Sequence, residues 1–430
     1  MDFVLDWETL LYGSEEETRS RIYSSSVLTL GMVQLIESIA FSIPFSYFPN
    51  YAISLGSSVA SIGLFTSSFM LSSALLSPKL GGLSDRLGRK KVIVWGLLGD
   101  VVLGILTGLV PNWIWLLLIR VFNGAVSAAA MLPAEALLID LVSEHVRGEA
   151  SGFVMAMGMI GRSIGPVFGG SIQWLASSMG FSLLDSYRVP YFVDSALAFF
   201  AFALVAYKIK EPKRHTVGPE DEFRVQSVNQ SVKTKFSMSI KVVLLTSFIT
   251  GIGVGFIMPI SVLFYGDKFG IEPIEIGFIT TVAGLIGISV SWLAGRASDR
   301  IGRKPLIALG GISARICTII LPVTLDVNQA AVLMSLRSVG FNLFMPANRA
   351  LRADIVPEEA RGRMFGMFMT AFTAGDIVGP IVGTWLYSLY RFETLTILGF
   401  PFPGYGVSFL VYSILGIISV ILLVALVDRK

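Results

Sequence analysis

The chain has 430 residues, 53% of them hydrophobic and only 15% charged, with a mean hydropathy of +0.72. A soluble domain carries about a quarter charged residues, so this composition excludes an ordinary water-soluble fold. The one cysteine, Cys317, lies in an apolar run and excludes a disulfide framework or thiol pair, while the net charge of +3 says little about partners.

The first 25 residues read as an N-terminal cytosolic tail. Asp2, Asp6, Glu8 and Glu15 to Glu17 are unlike the positive start of a cleavable signal. Phe3, Val4, Trp7, Leu10 and Leu11 recur at helical spacing, so a short interfacial helix and an unstructured tail both remain open. Apolar runs of about 20 residues follow, long enough to cross a ~30 Å hydrocarbon layer as helices. They do not alternate as barrel strands would. Six spans are predicted at about 26–49, 59–80, 92–110, 113–142, 151–175 and 190–208. A polar linker over 209–241 precedes six more, at about 242–265, 275–294, 306–325, 329–350, 364–388 and 404–427. With both termini inside, 26 of the 33 Lys and Arg fall in cytosolic segments and only Arg188, Lys268 and Arg391 in outer loops. This asymmetry fits an even span count and the positive-inside rule, for a multi-pass protein of the cell membrane.

The stretch from Gly81 to Lys91 (GGLSDRLGRKK) recurs from Gly295 to Pro305 (GRASDRIGRKP), 214 residues later. The same offset carries Asp140, Glu144, Arg147, Gly148 and Gly152 onto Asp354, Glu358, Arg361, Gly362 and Gly366. It also carries Gly161, Gly165, Pro166 and Gly169 onto Gly375, Gly379, Pro380 and Gly383. Each half therefore has six spans in the same order and orientation, 26–208 and 242–430, a parallel repeat about the membrane normal. On these residues the chain resembles the major facilitator superfamily, whose signature after the second span reads G-x-L-a-D-R-x-G-R-[RK]. The resemblance covers essentially the whole chain. It implies an all-α membrane protein of twelve helices, two six-helix bundles related by a pseudo-two-fold axis, rocking around a central site.

In the signature loops Gly88 and Gly302 permit tight turns. Gly81, Asp85, Arg86, Arg89, Gly295, Asp299, Arg300 and Arg303 are then candidates for a cytosolic gate that bonds across the interface between halves. The resemblance implies that Arg89 meets Asp140 and that Arg303 meets Asp354; the plainer reading is that these charges only enforce topology. The pattern Gly161-x-x-x-Gly165-Pro166-x-x-Gly169, repeated at Gly375, Gly379, Pro380 and Gly383, lets helix backbones approach closely. It resembles the antiporter motif of the drug:proton branch, although glycines would serve packing in any such transporter.

Charges at membrane depth cost on the order of 2.5–3.5 kcal/mol each to insert, so they mark candidate sites. The resemblance places spans one, four, seven and ten around the cavity, which favours Glu37, Arg120, Glu135 and Arg337 for proton or substrate. Arg120-Val-Phe-Asn-Gly124 resembles the family's fourth-span proton-coupling motif, pointing to the N-terminal half for proton handling. A Glu37–Arg120 pair would suit a proton carrier, or be merely structural. Arg162 and Asp376 occupy equivalent repeat positions with opposite charge. Asp100 and Arg315 read as structural, and Asp194 as solvated near the outer surface.

His145 and His215 form no metal cluster, and Gly251-Ile-Gly-Val-Gly255 lies within an apolar span with no following Lys-Ser/Thr, so no nucleotide loop, metal or cofactor is expected. No catalytic constellation is present, so the chain reads as a transporter and not an enzyme. The leading expectation is a proton-coupled exporter of small amphipathic molecules, working as a monomer by alternating access with no nucleic-acid partner. The alternative is a facilitator or symporter for a polar metabolite, a sugar or organic anion, clamped by Arg120, Arg162 or Arg337.

Overall fold

The computed structural model describes residues 24–211, 237–357, 360–397 and 399–427. The predicted tail, most of the linker with His215, and Arg429 and Lys430 lie outside the described residues. Twelve long helices are described: α1 (Ser25–Ser42), α2 (Ile62–Leu87), α3 (Arg89–Leu109), α4 (Trp113–Leu141), α5 (Arg147–Ser178) and α6 (Leu183–Lys208), then α7 (Met238–Phe269), α8 (Pro273–Ile301), α9 (Arg303–Ile320), α10 (Val327–Ile355), α11 (Arg361–Tyr390) and α12 (Val407–Leu426). All twelve are long and apolar enough to cross a membrane.

The helices form where the apolar runs predict them, with two instructive shifts. The first span is not continuous to residue 49. It breaks at Ser42 into a 3-10 turn (Ile43–Ser46) and a short helix (Phe48–Ser54), because Pro44 and Pro49 each open a new segment. The sixth span starts at Leu183 and not near 190, since Ser182 caps it by accepting from the Asp185 N–H at 3.2 Å and Pro190 is carried inside the helix. Asp194 therefore lies about 16 Å along α6 and not at the outer surface. Between α11 and α12 a hairpin of β1 (Thr394–Ile397) and β2 (Phe400–Pro403) was not anticipated.

Each half has two apolar cores. One gathers α1, α3, α4, α5 and α6 near the signature loop, around Val27, Leu97, Leu137 and Val205. The other is an aromatic layer toward the opposite face, around Tyr47, Tyr51, Phe65, Tyr187 and Tyr191. The C-terminal half repeats the arrangement around Val243, Ile307, Phe344 and Leu423, and around Phe256, Phe264, Tyr387 and Phe409. The face carrying the signature loops between α2 and α3 and between α8 and α9 is referred to below as the basic face.

Candidate functional site

The two halves meet toward the face opposite the signature loops, and the seam is built from small residues. In α2 the Gly63 N–H donates to Thr384 Oγ1 of α11 at 3.1 Å, and Thr384 Oγ1 is 3.1 Å from the Ala60 carbonyl. Ser67 Oγ donates to the Ile377 carbonyl at 2.5 Å. A Cβ at Gly63 would stand 2.6 Å from the Ile381 backbone nitrogen, closer than real side chains come. The second seam joins α5 to α8. A Cβ at Gly170 would lie 2.5 Å from the Pro273 carbonyl oxygen, and one at Gly277 2.5 Å from that of Pro166.

These seams obey the sequence repeat. Gly63 lies 214 residues before Gly277, and Gly170 lies 214 before Thr384. Gly63 abuts the backbone of Pro380, and Gly277 abuts that of Pro166, its repeat mate. The sequence reading missed this closure. The signal that could have found it was the same offset, obscured because isolated glycines are common in membrane helices.

Toward the basic face the helices separate. Among the described residues nothing lies within 4 Å of a Cβ built at Gly81 or Gly82 on α2, Gly148 or Gly152 on α5, Gly295 on α8, or Gly362 or Gly366 on α11. The same four helices that mesh at one end thus leave space at the other, so the structure is closed on the opposite face and open on the basic face.

The signature loops turn at Gly88 (φ +108°) and Gly302 (φ +97°), in a region that L side chains rarely adopt. Arg89 Nε stands 3.0 Å from Asp140 Oδ2, and Arg303 pairs with Asp354 while donating to the Ala350 carbonyl at 2.9 Å. Both pairs tie the start of one helix to the end of another in the same half. Both pairs implied by the resemblance are thus present, and with the basic face open they brace each half internally. Asp85, Arg86 and Arg300 are exposed on that open face, and the Asp299 side chain lies outside the described residues.

The glycine stripes also act within a half. Gly161 and Gly165 of α5 face the Leu35 and Ile39 carbonyls of α1, and Gly169 faces Ile43; Gly375, Gly379 and Gly383 of α11 face Phe248, Ile252 and Phe256 of α7. Ser46 Oγ donates to the Pro166 carbonyl at 3.0 Å, a hydrogen bond that the close approach allows.

Charged side chains concentrate inside the N-terminal bundle. Glu37 (α1), Asp100 (α3) and Asp194 (α6) are each half-buried and close enough for their charges to interact. Arg120 (α4) lies within reach of Asp100 and Asp194. Its guanidinium stacks over the Phe48 ring at 4.2 Å and makes no ion pair with Glu37. Two corrections follow. Arg120 is not the direct partner of Glu37, and Asp100 and Asp194 are not peripheral, because α6 packs against both α1 and α3 and brings these acids near Glu37. Asp194 lies beside Gly104 of α3, where a side chain would crowd the neighbouring Ser195 hydroxyl. Glu37 Oε1, Arg120 Nε and Asn123 Oδ1 are buried without a hydrogen-bond partner. The Tyr47 and Tyr191 hydroxyls of the aromatic layer are buried without a partner as well, so the bundle interior keeps unused polar capacity.

The whole chain matches one family model, the Major Facilitator Superfamily, over residues 30–241 and 243–430. The chain belongs to the Major Facilitator Superfamily. Members are transporters and not enzymes, so a small-molecule substrate and a bilayer are its partners. It is 28% identical over 370 residues to the multidrug resistance protein MdtG of Enterobacter lignolyticus, covering 83% of this chain and 84% of that one. It is 27% identical over 350 residues to multidrug resistance protein 2 of Bacillus subtilis, covering 79% and 83%. Among solved structures, an inward-facing bacterial homologue of the human lysosomal transporter Spinster superposes with TM-score 0.72 at 16% identity, over 93% of this chain and 94% of that one. A D-xylose–proton symporter superposes with TM-score 0.72 at 17% identity, over 94% and 98%. These likenesses support the twelve-helix facilitator fold.

Within this facilitator fold the C-terminal half is charged differently. The repeat mates of Glu37, Asp100 and Arg120 are Gly251, Ala314 and Met334, and Tyr412 stands on α12 where Asp194 stands on α6. The bundle holds cations among aromatics instead. Arg315 is 2% exposed, its guanidinium 5.4 Å from the Phe344 ring and 5.7 Å from that of Tyr412. Arg337 lies within reach of Tyr265 and Tyr412, and so points into its own bundle. Asp376 of α11 is buried with its carboxylate against Gly255 of α7, whereas Arg162, its repeat mate, is exposed and has no ion pair among the described residues. Glu135 is exposed on α4. The structure thus joins Glu37 and Arg120 through Asp100 and Asp194, and leaves Glu135, Arg162, Arg337 and Asp376 apart from that cluster.

Proposed function

We propose that this facilitator is a proton-coupled exporter of small amphipathic molecules in the cell membrane, with both termini and the basic face in the cytosol. Residues 26–208 and 242–430 form the two moving bundles, joined by the 209–241 linker, and one chain suffices for transport. The observation that carries the reading is the intramembrane cluster of Glu37, Asp100 and Asp194 around a single Arg120. Three carboxylates against one guanidinium leave an excess negative charge that a proton can neutralise at membrane depth. Glu37 is half-buried with one carboxylate oxygen sealed, which suits a group that exchanges a proton as the bundles rock. The opening on the basic face would admit substrate from the cytosol, and the relatives named for multidrug resistance support the same direction. Asp85, Arg86, Asp299 and Arg300 would meet partners of the other half when the basic face closes.

A second reading has its own support. Arg162 is exposed on α5 beside Ser163, which abuts Gly284 of the other half, and among the described residues no counter-ion meets it. An anionic substrate could neutralise it, giving a carrier for a polar metabolite. Proteoliposomes with an imposed pH gradient separate the two. Glu37→Gln is expected to abolish gradient-driven uptake of a cationic dye while Arg162→Gln retains it. Gradient-driven uptake unchanged in Glu37→Gln would remove Glu37 from coupling, and dye-insensitive transport competed by organic anions would favour the second reading.

A further inference from the structure

A cleft of about 750 Å³ opens on the basic face outside the N-terminal bundle, beyond the path between the halves. It is lined by Arg86, Lys90, Lys91 and Trp95 around the start of α3, and by Ala206 and Glu211 at the end of α6. Glu211 does not oppose the cations from afar. Its carboxylate accepts from the backbone N–H groups of Arg89 at 2.7 Å and Lys90 at 2.9 Å, so its charge is spent on the first turn of α3. Lys90 Nζ donates to the Ala206 carbonyl at 2.7 Å, which holds its ammonium at the cleft wall with two N–H groups left over. Beside Arg86, the lining sets Lys90 and Lys91 against one capped carboxylate.

Trp95 fixes the depth and the medium. It follows Lys91 by four residues, hence on the same helix face about 6 Å farther into the membrane, and it is 71% exposed. A cation at headgroup level over an aromatic ring at the acyl boundary is the arrangement that suits a phospholipid. The repeat supplies an internal control. In the C-terminal half Lys91 and Trp95 become Pro305 and Leu309, although Arg86 and Lys90 are retained as Arg300 and Lys304. The signature charges are thus common to both halves, whereas the additional cation and the aromatic ring occur in one.

We propose that this cleft binds the phosphodiester headgroup of an anionic phospholipid, with Lys91 and Lys90 on the phosphate and Trp95 along the acyl chain. The site is independent of the direction of transport. The full-length protein is reconstituted in phosphatidylcholine bilayers containing either brominated phosphatidylglycerol or brominated phosphatidylcholine, and quenching of Trp95 is taken as the difference between wild type and Trp95→Phe. Brominated phosphatidylglycerol is expected to quench Trp95 at several-fold lower mole fraction than brominated phosphatidylcholine. Lys91→Gln should reduce that preference about fivefold, the effect of one cation near a charged surface, and Lys304→Gln should leave it intact. Inorganic phosphate at millimolar concentration should not relieve the quenching, as it would if the site took free phosphate. Equal quenching by the two lipids overturns the proposal, as would occur if the chain's own linker filled the cleft. So does a preference that survives Lys91→Gln in protein that elutes as the wild type does.

Discussion

Replacing Gly63 by leucine tests how the opposite face is held shut. A Cβ at this position would lie 2.6 Å from the Ile381 nitrogen, and closer still to the Pro380 carbonyl. The neighbours are backbone on both sides of the seam, so they cannot rotate away as a side chain could. The seam must widen, losing the Gly63–Thr384 and Ser67–Ile377 hydrogen bonds, or the state must become rarer. Overpacking of this sort costs about 1–3 kcal/mol, which shifts a two-state equilibrium about 5- to 150-fold toward the conformation with the opposite face open. The repeat predicts the same for Gly277→Leu, whose Cβ meets the Pro166 backbone in the same way. Spin labels at Ser58 and Ser388, introduced as cysteines with Cys317→Ser, report the distance between halves at that face by pulsed electron resonance. The wild type should give a short, narrow distribution, and each variant a longer one. An unchanged distribution in both variants, with the protein folded, would refute the glycine-seam reasoning.

The other expectations concern the basic face. Gly81→Leu meets nothing within 4 Å in the present state, so thermal stability in detergent should hold within about 0.5 kcal/mol. If α2 closes against the other half during the cycle, the same variant should lose transport, and transport at the wild-type rate would show that Gly81 never enters a close contact. The Arg89–Asp140 pair is 25% and 38% exposed, so a double-mutant cycle to alanine should give a coupling of no more than about 1 kcal/mol in unfolding. A larger coupling would mean that the pair holds the fold together and does more than brace one loop.

Much of this architecture is legible in the chain because the bilayer imposes simple rules. Apolar length sets the spans, basic residues mark one face, and the offset of 214 sets the symmetry. What was not legible depends on helix rotation and on where a helix starts. Asp194 reads as superficial if Pro190 opens α6. It becomes a deep residue once Ser182 caps the helix seven residues earlier than the position where a soluble-protein rule for proline would begin it. Asp100 reads as peripheral because α3 is an outer helix, yet one residue can face inward from any helix. The Arg89–Asp140 and Arg303–Asp354 contacts follow from the signature and lie within one half by their positions alone. The closure seam was present in the repeat as Gly63 and Gly277, but a glycine reveals its purpose only when the opposing backbone is known.

On the proposed function a proton neutralises the excess negative charge of the Glu37–Asp100–Asp194–Arg120 cluster, and a coupled substrate should displace it. The most direct test is the release of protons when a cationic substrate is added to the purified, weakly buffered protein, followed with a pH indicator. The account predicts saturable release in the wild type that disappears in Glu37→Gln while substrate still binds. Substrate binding without proton release in the wild type, across pH 6 to 8, would contradict it.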